Sequence, residues 1–509
     1  MANHVHPSTK RPSTSRQIII KRFAACFVLA LHFLASPLIQ ASDDRPNILF
    51  AIADDWGWPH AGAYGDPVVK TPTFDRVAAG GLLFTNAYVS SPSCTPSRNA
   101  ILTGQYHWRL GWGANLWSKL DTKHQTFPNL LEDAGYFTGF YRKSWGPGRL
   151  DNWKDHPNKH PVGQQFKSVD KFFEALPDDR PFCFWFGSSD PHRGYKVGSG
   201  VESGMDIQDI QMFKHYPDSD TIRSDIADYY FEVQRFDREL GEVLDKLAAL
   251  GKLENTIVVV TGDHGMPFPR CKGNLYDSGV RVPMAVMGPN VRGSKREISD
   301  FVSTTDLAPT LLEAAGVTVP DAMTGKSWST ILDSSNSGRI DENRDHVFVG
   351  KERHVPCQEA PDFGGTPMRA IRTDDYLFIR NFEPDRWPAG TPDFENATIK
   401  GVWFGDVDNG PTKTYMLDNQ DLDDEHRRSY ALAFAKRPEF ELYDLTSDPD
   451  QINNVADNSD YADILAVLAA RLTKELARTD DPRILGHGKE VFDTPKYFGR
   501  GPRHPSTEK

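Results

Sequence analysis

Ser93-Cys94-Thr95-Pro96-Ser97-Arg98 places a thiol, a turn-forming proline and a cation within six residues. Pro96 suits the first turn of a helix, and Ala100-Ile101-Leu102 carries that helix on. Cys94 therefore stands at a helix N-terminus, where backbone N–H groups favour negative charge, with Arg98 about one turn further on. A buried structural cysteine before a proline turn would account for a lone Cys, but it leaves the Cys-x-Pro-Ser-Arg pattern unexplained. Two acidic groups follow apolar runs. Asp54-Asp55 close the run from Pro46 to Ala53, and Asp263-His264 follow Val258-Val259-Val260-Thr261-Gly262. Taken alone, Asp54-Asp55 also fit a solvated strand end or a helix cap.

These residues need elements to hold them. Pro46–Ala53 is a largely continuous apolar run, which suits a strand buried on both faces of a parallel sheet. Similar runs recur at Phe182–Gly187, Thr256–Val260 and Val282–Val286, separated by helical patterns such as Ile222–Leu250. Strands alternating with helices indicate an α/β architecture: a large, mainly parallel sheet between helices, with right-handed crossovers. Ligands of such sheets gather at the carboxyl ends of strands, where both acidic groups fall. From about Met368 the texture changes to short strand-like pieces (Met368–Phe382, Phe440–Leu445) and an apolar-striped helix (Tyr461–Ala477), a smaller α+β subdomain. The expected organisation is a leader over residues 1–41, a catalytic part over 42–365, and a C-terminal subdomain and tail over 366–509.

The leader reading rests on Lys10, Arg11, Arg16, Lys21 and Arg22 before an apolar stretch from Phe23 to Ile39, with small Ala41 after it. That order describes a cleavable secretory signal, and the stretch is short for a membrane span. An exported protein with no stable membrane insertion after cleavage is expected. With 39% hydrophobic and 25% charged residues the chain is globular. Its net charge of −12 argues against a nucleic-acid partner, while a few local cations can still hold a sulfate. Five cysteines, one of them in the leader, cannot form a disulfide framework.

Cys94-Thr95-Pro96-Ser97-Arg98 resembles the recognition signal for formylglycine formation in the type I sulfatases. The resemblance runs along most of the chain. Asn47–Asp55 looks like the family's first strand and first metal carboxylates. Val260–Gly265 looks like its second metal segment, with His264 where Asn is commoner, and Glu441–Leu445 through Asp448-Pro449 looks like its C-terminal signature. Asp178–Phe182, Asp190–Arg193, and Gly265–Pro269 running to Asn274-Leu275-Tyr276 resemble the heparan N-sulfatase branch.

The resemblance implies an alkaline-phosphatase-like fold, hydrolysis of sulfated sugars, and one Ca²⁺ held by Asp54, Asp55, Asp263 and His264 beside residue 94. It implies that a formylglycine-generating enzyme oxidises Cys94, and that the hydrated aldehyde attacks sulfur. Arg98, Lys143 and Lys272 would surround the sulfate oxygens as fixed positive charge. His192 would protonate the leaving oxygen or nitrogen. Singly, each lysine is more often a solvated surface residue and His192 a structural donor. One position departs from the family: in Arg142-Lys143-Ser144-Trp145, Trp145 stands where the family commonly has His, and indole cannot accept a proton. His107, or unassisted proton loss, would then serve sulfate release. Trp108, Trp112 and Trp117 offer aromatic faces for sugar rings, or simply core. The substrate is open between O-sulfate esters and N-sulfates. A phosphodiester or phosphonate hydrolase on the same scaffold, and a non-catalytic binder of sulfated glycans, remain as other classes.

Overall fold

A computed structural model describes residues 45–507, so the expected leader lies outside the described residues. Strand β1 (Asn47–Ala53) is apolar from Ile48 onward because both its faces are covered. Ile48, Phe50 and Ile52 enter one core, and Leu49, Ala51 and Ala53 the other. The remaining strands of the first half are β2 (Leu82–Phe84), β3 (Ala87–Tyr88), β4 (Phe137–Arg142), β5 (Gln164–Phe166), β6 (Phe182–Gly187), β7 (Thr256–Gly262), β8 (Met284–Met287), β9 (Arg296–Ile298) and β10 (Val302–Ser303). Eight of them form one sheet in the order β5-β4-β6-β1-β7-β8-β2-β9, while β3 pairs with β10.

Seven of the eight strands run the same way, and β8 alone is reversed. The run around Val282–Val286, read as one more strand of a parallel sheet, is this exception. Between β7 and β8 the one regular element is the four-residue helix Asp277–Val280, and the chain returns antiparallel to β7.

Helices Cys94–Thr103, Phe127–Asp133 and Leu307–Ala314 pack on one face of the sheet. On the other lie Pro72–Gly80, Val169–Ala175 and the long helix Asp220–Ala249. The long helix starts at Ser219, whose side chain accepts from the Ile222 N–H at 3.3 Å, and buries Ile222, Ile226, Val233, Leu240, Leu244 and Leu247 at helical spacing.

A second, antiparallel sheet comprises β11 (His346–Lys351), β12 (Met368–Thr373), β13 (Tyr376–Asn381) and β14 (Phe440–Asp444), in that order. It draws on residues both before and after position 366. Val347, Val349, Ala370, Leu377, Ile379 and Tyr443 face the first core. Phe348, Ile371, Phe378 and Leu442 face Leu468, Leu472 and Leu476 of helix Ala462–Arg478. The tail is anchored as well: Asp481 receives Arg369 Nε at 2.6 Å, and Asn115 Nδ2 donates to the Phe492 carbonyl at 2.9 Å. Among the described residues no helix is long and apolar enough to cross a membrane, and the four cysteines are buried and unpaired.

Candidate active site

The carboxyl ends of β1, β4, β6 and β7 open onto one site. At the end of β1 the chain turns sharply at Asp55, which adopts a left-handed conformation (φ 70°) uncommon for a residue with a side chain. The turn is held from both sides. The Asp55 N–H donates to Asp263 Oδ1 at 2.9 Å, and the Tyr229 hydroxyl donates to the Asp55 carbonyl at 3.3 Å. It aims two consecutive carboxylates into the same space.

Helix Cys94–Thr103 starts at the floor of that space, and every one of its residues is buried. Ser93 is extended, and its hydroxyl pairs with Nδ1 of buried His354 at 2.8 Å instead of capping the helix. Ser97 Oγ donates to the Asp263 carbonyl at 2.5 Å, tying the helix to the end of β7. Cys94, the first helical residue, brings its Sγ to 3.3 Å from His264 Nε2, 3.7 Å from Asp54 Oδ1 and 4.0 Å from Asp55 Oδ1. His264 Nδ1 lies 3.0 Å from the Gly265 carbonyl, and its Nε2 lies 3.1 Å from Asp55 Oδ1. One ligand atom each from Asp54, Cys94, Asp263 and His264 lies within 4.8 Å of the others. Three buried carboxylates with one imidazole fit a divalent cation, and the oxygen majority suits a hard one.

The cations interleave with these acids. Fully buried Arg98 donates Nε to Asp263 Oδ2 at 2.8 Å, has Nη2 3.5 Å from Asp54 Oδ1, and donates Nη1 to the Ser144 carbonyl at 3.1 Å. Lys143 pairs with Asp54. Lys272 donates to Asp55 Oδ2 at 2.8 Å and to Asp408 Oδ2 at 3.0 Å. His192, about one-third exposed, has Nδ1 against the Arg193 carbonyl, which leaves Nε2 as the atom facing Asp55 Oδ2 at 4.0 Å.

Burial works against every charge here, and the neighbours decide the outcome. For Asp263 burial is outweighed by His264, Arg98 and Lys143, which hold the carboxyl well below its usual range. Burial opposes the Lys143 and Lys272 ammonium groups, yet Asp54 and Asp408 respectively hold them charged above the usual lysine range. No such rescue reaches Cys94, whose thiol burial pushes far up.

Above this cluster lies a cavity of about 700 Å³ lined by Asp54, Lys143, His192, Trp117, Trp145 and Pro147, among others. Trp145 donates to Asn99 Oδ1 of the helix and forms part of the wall. His107 does not join the cluster. It is fully buried, with Nδ1 2.9 Å from Ser90 Oγ and its ring edge-on to Trp108, and burial pushes it well below ordinary histidine. The three tryptophans separate: Trp108 is core and bonds Thr479, Trp112 is exposed, and Trp117 lines the cavity.

Asp408 and His354 went unread in the sequence. Asp408 sits in Gly405-Asp406-Val407-Asp408-Asn409-Gly410, a glycine-flanked acidic turn in no regular element, and that composition is the only signal it offered. Asp55, His192 and Asp408 bring three ligand atoms within 4.8 Å of one another around Lys272.

Residues 46–317 match the family described as Sulfatase, and residues 262–388 match the family described as N-sulphoglucosamine sulphohydrolase, C-terminal. The chain is 29% identical over 486 residues to the human N-sulphoglucosamine sulphohydrolase, covering 86% of this chain and 91% of that one. Among solved structures, a protein in complex with its substrate D-glucosamine-2-N,6-O-disulfate is similar with a TM-score of 0.59 at 20% identity, covering 86% of this chain and 98% of that one. The phosphonate monoester hydrolase of Agrobacterium radiobacter is similar with a TM-score of 0.60 at 18% identity, covering 86% and 96%.

Proposed function

Since the chain belongs to the sulfatase family, we propose that it is an exported hydrolase of sulfated glucosamine-type sugars, acting on N-sulfates or sulfate esters through formylglycine at position 94 with Ca²⁺. The observation that carries this reading is the position of Cys94, at the head of a buried helix and within 4.0 Å of Asp54, Asp55 and His264. As a thiol it is a poor nucleophile, because burial keeps it protonated. Converted to formylglycine, the same position supplies a hydroxyl of the aldehyde hydrate as the attacking group. Asp54, Asp55, Asp263 and His264 would hold the Ca²⁺, which would supply Lewis-acid polarisation there.

The chain's own residues do the rest. Arg98, Lys143 and Lys272 present three fixed positive charges from three directions, where charge grows on the sulfate oxygens. Their partners hold them in place, so little reorganisation is needed as the reaction proceeds. His192 Nε2, at the cavity wall, delivers a proton to the departing sugar oxygen or nitrogen. Trp145 takes no proton and acts as wall, bonded to Asn99 of the active-site helix. His354, bonded to Ser93 next to the nucleophile, is better placed than His107 to influence proton removal at residue 94.

The test is mass spectrometry of the tryptic peptide spanning residues 77–98, from a host competent in formylglycine formation, followed by sulfate release from N-sulfated and O-sulfated glucosamines. An aldehyde at position 94 with sulfate release supports the reading. An intact thiol throughout moves the chain to a sulfated-glycan binder. Because a phosphonate monoester hydrolase shares the fold, an aryl phosphonate ester belongs in the same panel, and faster turnover of it would replace the sulfatase reading.

A further inference from the structure

Trp117 forms one side of the cavity mouth, and three chain segments meet behind it. The Arg149 N–H donates to the Ser118 carbonyl at 2.9 Å, and the Phe498 N–H to the Trp117 carbonyl at 3.0 Å. Gly499 lies so close to the Trp117 indole that a Cβ there would fall 2.2 Å from the ring. These backbone ties bring three cations around the Phe498 ring: the Arg149 guanidinium carbon at 4.7 Å from its centroid, Lys119 Nζ at 5.6 Å and Lys496 Nζ at 5.8 Å. Lys119 shares Asp151 at 3.4 Å. Among the described residues, neither Arg149 nor Lys496, both exposed, forms an ion pair. Across the cavity the pattern differs: Lys196 is paired with Glu202, and Arg235 with Asp190 and Glu232. A chain of net charge −12 thus gathers unpaired positive charge from two distant segments, at Arg149 and Lys496, on the Trp117 side of its cavity.

We propose that this rim is a binding subsite for the anionic group, sulfate or carboxylate, of the sugar next to the one in the cavity. Trp117 would lie under the link between the two units. The inference rests on the sulfated-glycan reading and extends it: the substrate is an oligomer or polymer, and recognition reaches past the reacting unit. Clustered cations left without carboxylates present a positive field that attracts an anion more strongly than paired ones do. The aromatic ring beneath them relieves part of their mutual repulsion.

Binding is measured by calorimetry and turnover by sulfate release, for two ligands: glucosamine-2-N,6-O-disulfate and a tetrasaccharide of N-sulfated glucosamine alternating with uronic acid. The wild type should bind the tetrasaccharide about tenfold more tightly, equivalent to about 1.4 kcal/mol. The double variant R149Q/K496Q should lose that advantage while keeping its Kd, kcat and KM for the monosaccharide. The difference between wild type and variant should fade at high salt, as for exposed charges. R149K should keep most of the advantage. Equal affinity of the wild type for both ligands, or a variant that retains the advantage, overturns the subsite. If neither sugar releases sulfate, the functional reading falls, while the calorimetric comparison still decides on the rim.

Discussion

Replacing Lys413 with Met should loosen the loop that carries Asp408, and the effect should grow as pH rises. Lys413 Nζ donates to the Trp403, Phe404 and Val407 carbonyls at 2.9, 3.2 and 2.9 Å, and to Asn409 Oδ1 at 2.9 Å. Methionine fills much of the same space but leaves three buried carbonyls without donors, at about 1 kcal/mol each, so the variant should be about 3 kcal/mol less stable near pH 6. Burial pulls the Lys413 ammonium down to about 7, against the attraction of Asp408. A free lysine titrates at about 10.4. Between these values the unfolded chain binds more protons than the folded one, so wild-type stability rises with pH by up to ~1.4 kcal/mol per unit. The contribution is complete above the unfolded value and lost as pH falls through about 7. The gap between wild type and K413M should therefore widen from about 3 kcal/mol at pH 6 to about 6 kcal/mol at pH 9. Urea unfolding of both proteins at the two pH values reads it directly. A gap that stays constant or narrows would refute the reasoning, because it would mean that the four acceptors, and not burial, set the charge of the amine. The variant should also release sulfate more slowly, since Asp408 braces Lys272.

Three further outcomes follow from the same geometry. A chelator should lower the melting temperature and abolish sulfate release, with recovery on adding Ca²⁺; saturation at a hundred times Kd is worth about 2.7 kcal/mol, and an unchanged melting curve would remove the metal assignment. R98A should lose about 100- to 1,000-fold in kcat for sulfate release and about 3 kcal/mol of stability, since Asp263 loses its donor and Asp54 a neighbouring positive charge while both stay buried. Stopped assays with a sulfated glucosamine check the first figure, and activity within threefold of wild type would argue against a role at the sulfate. L472A, in the core between helix Ala462–Arg478 and the second sheet, should cost about 2–5 kcal/mol and leave kcat unchanged, because that core lies on the sheet face turned away from the first core. Thermal unfolding beside a kcat measurement tests both halves.

Much of this protein is written locally in its sequence. The strands buried on both faces announce themselves as largely continuous apolar runs, as in Asn47–Ala53 and Thr256–Gly262, because alternation disappears when helices cover both sides of a sheet. The start of the active-site helix is equally local, since Pro96 and Gly104 mark its first turn and its left-handed end. Acidic residues directly after strands could be placed at one edge by topology alone. Other features depend on chain segments far apart in sequence. The reversal of β8 shows only in its antiparallel pairing with β7 and β2, and β11 finds its sheet only by pairing with β12. Lys272 and His192 enter only through the family resemblance and Asp408 not at all, and their grouping around Asp55 exists only once residues 55, 192, 272 and 408 are folded together. The same holds for Trp108 and Trp117, nine positions apart: the one is sealed by helix Ala462–Arg478 and the other meets the cavity and Gly499. Local sequence carries periodicity and turn chemistry, which act over a few residues. Long-range contacts decide which polar groups share a buried space, and so which of them are charged, paired or free to meet a ligand.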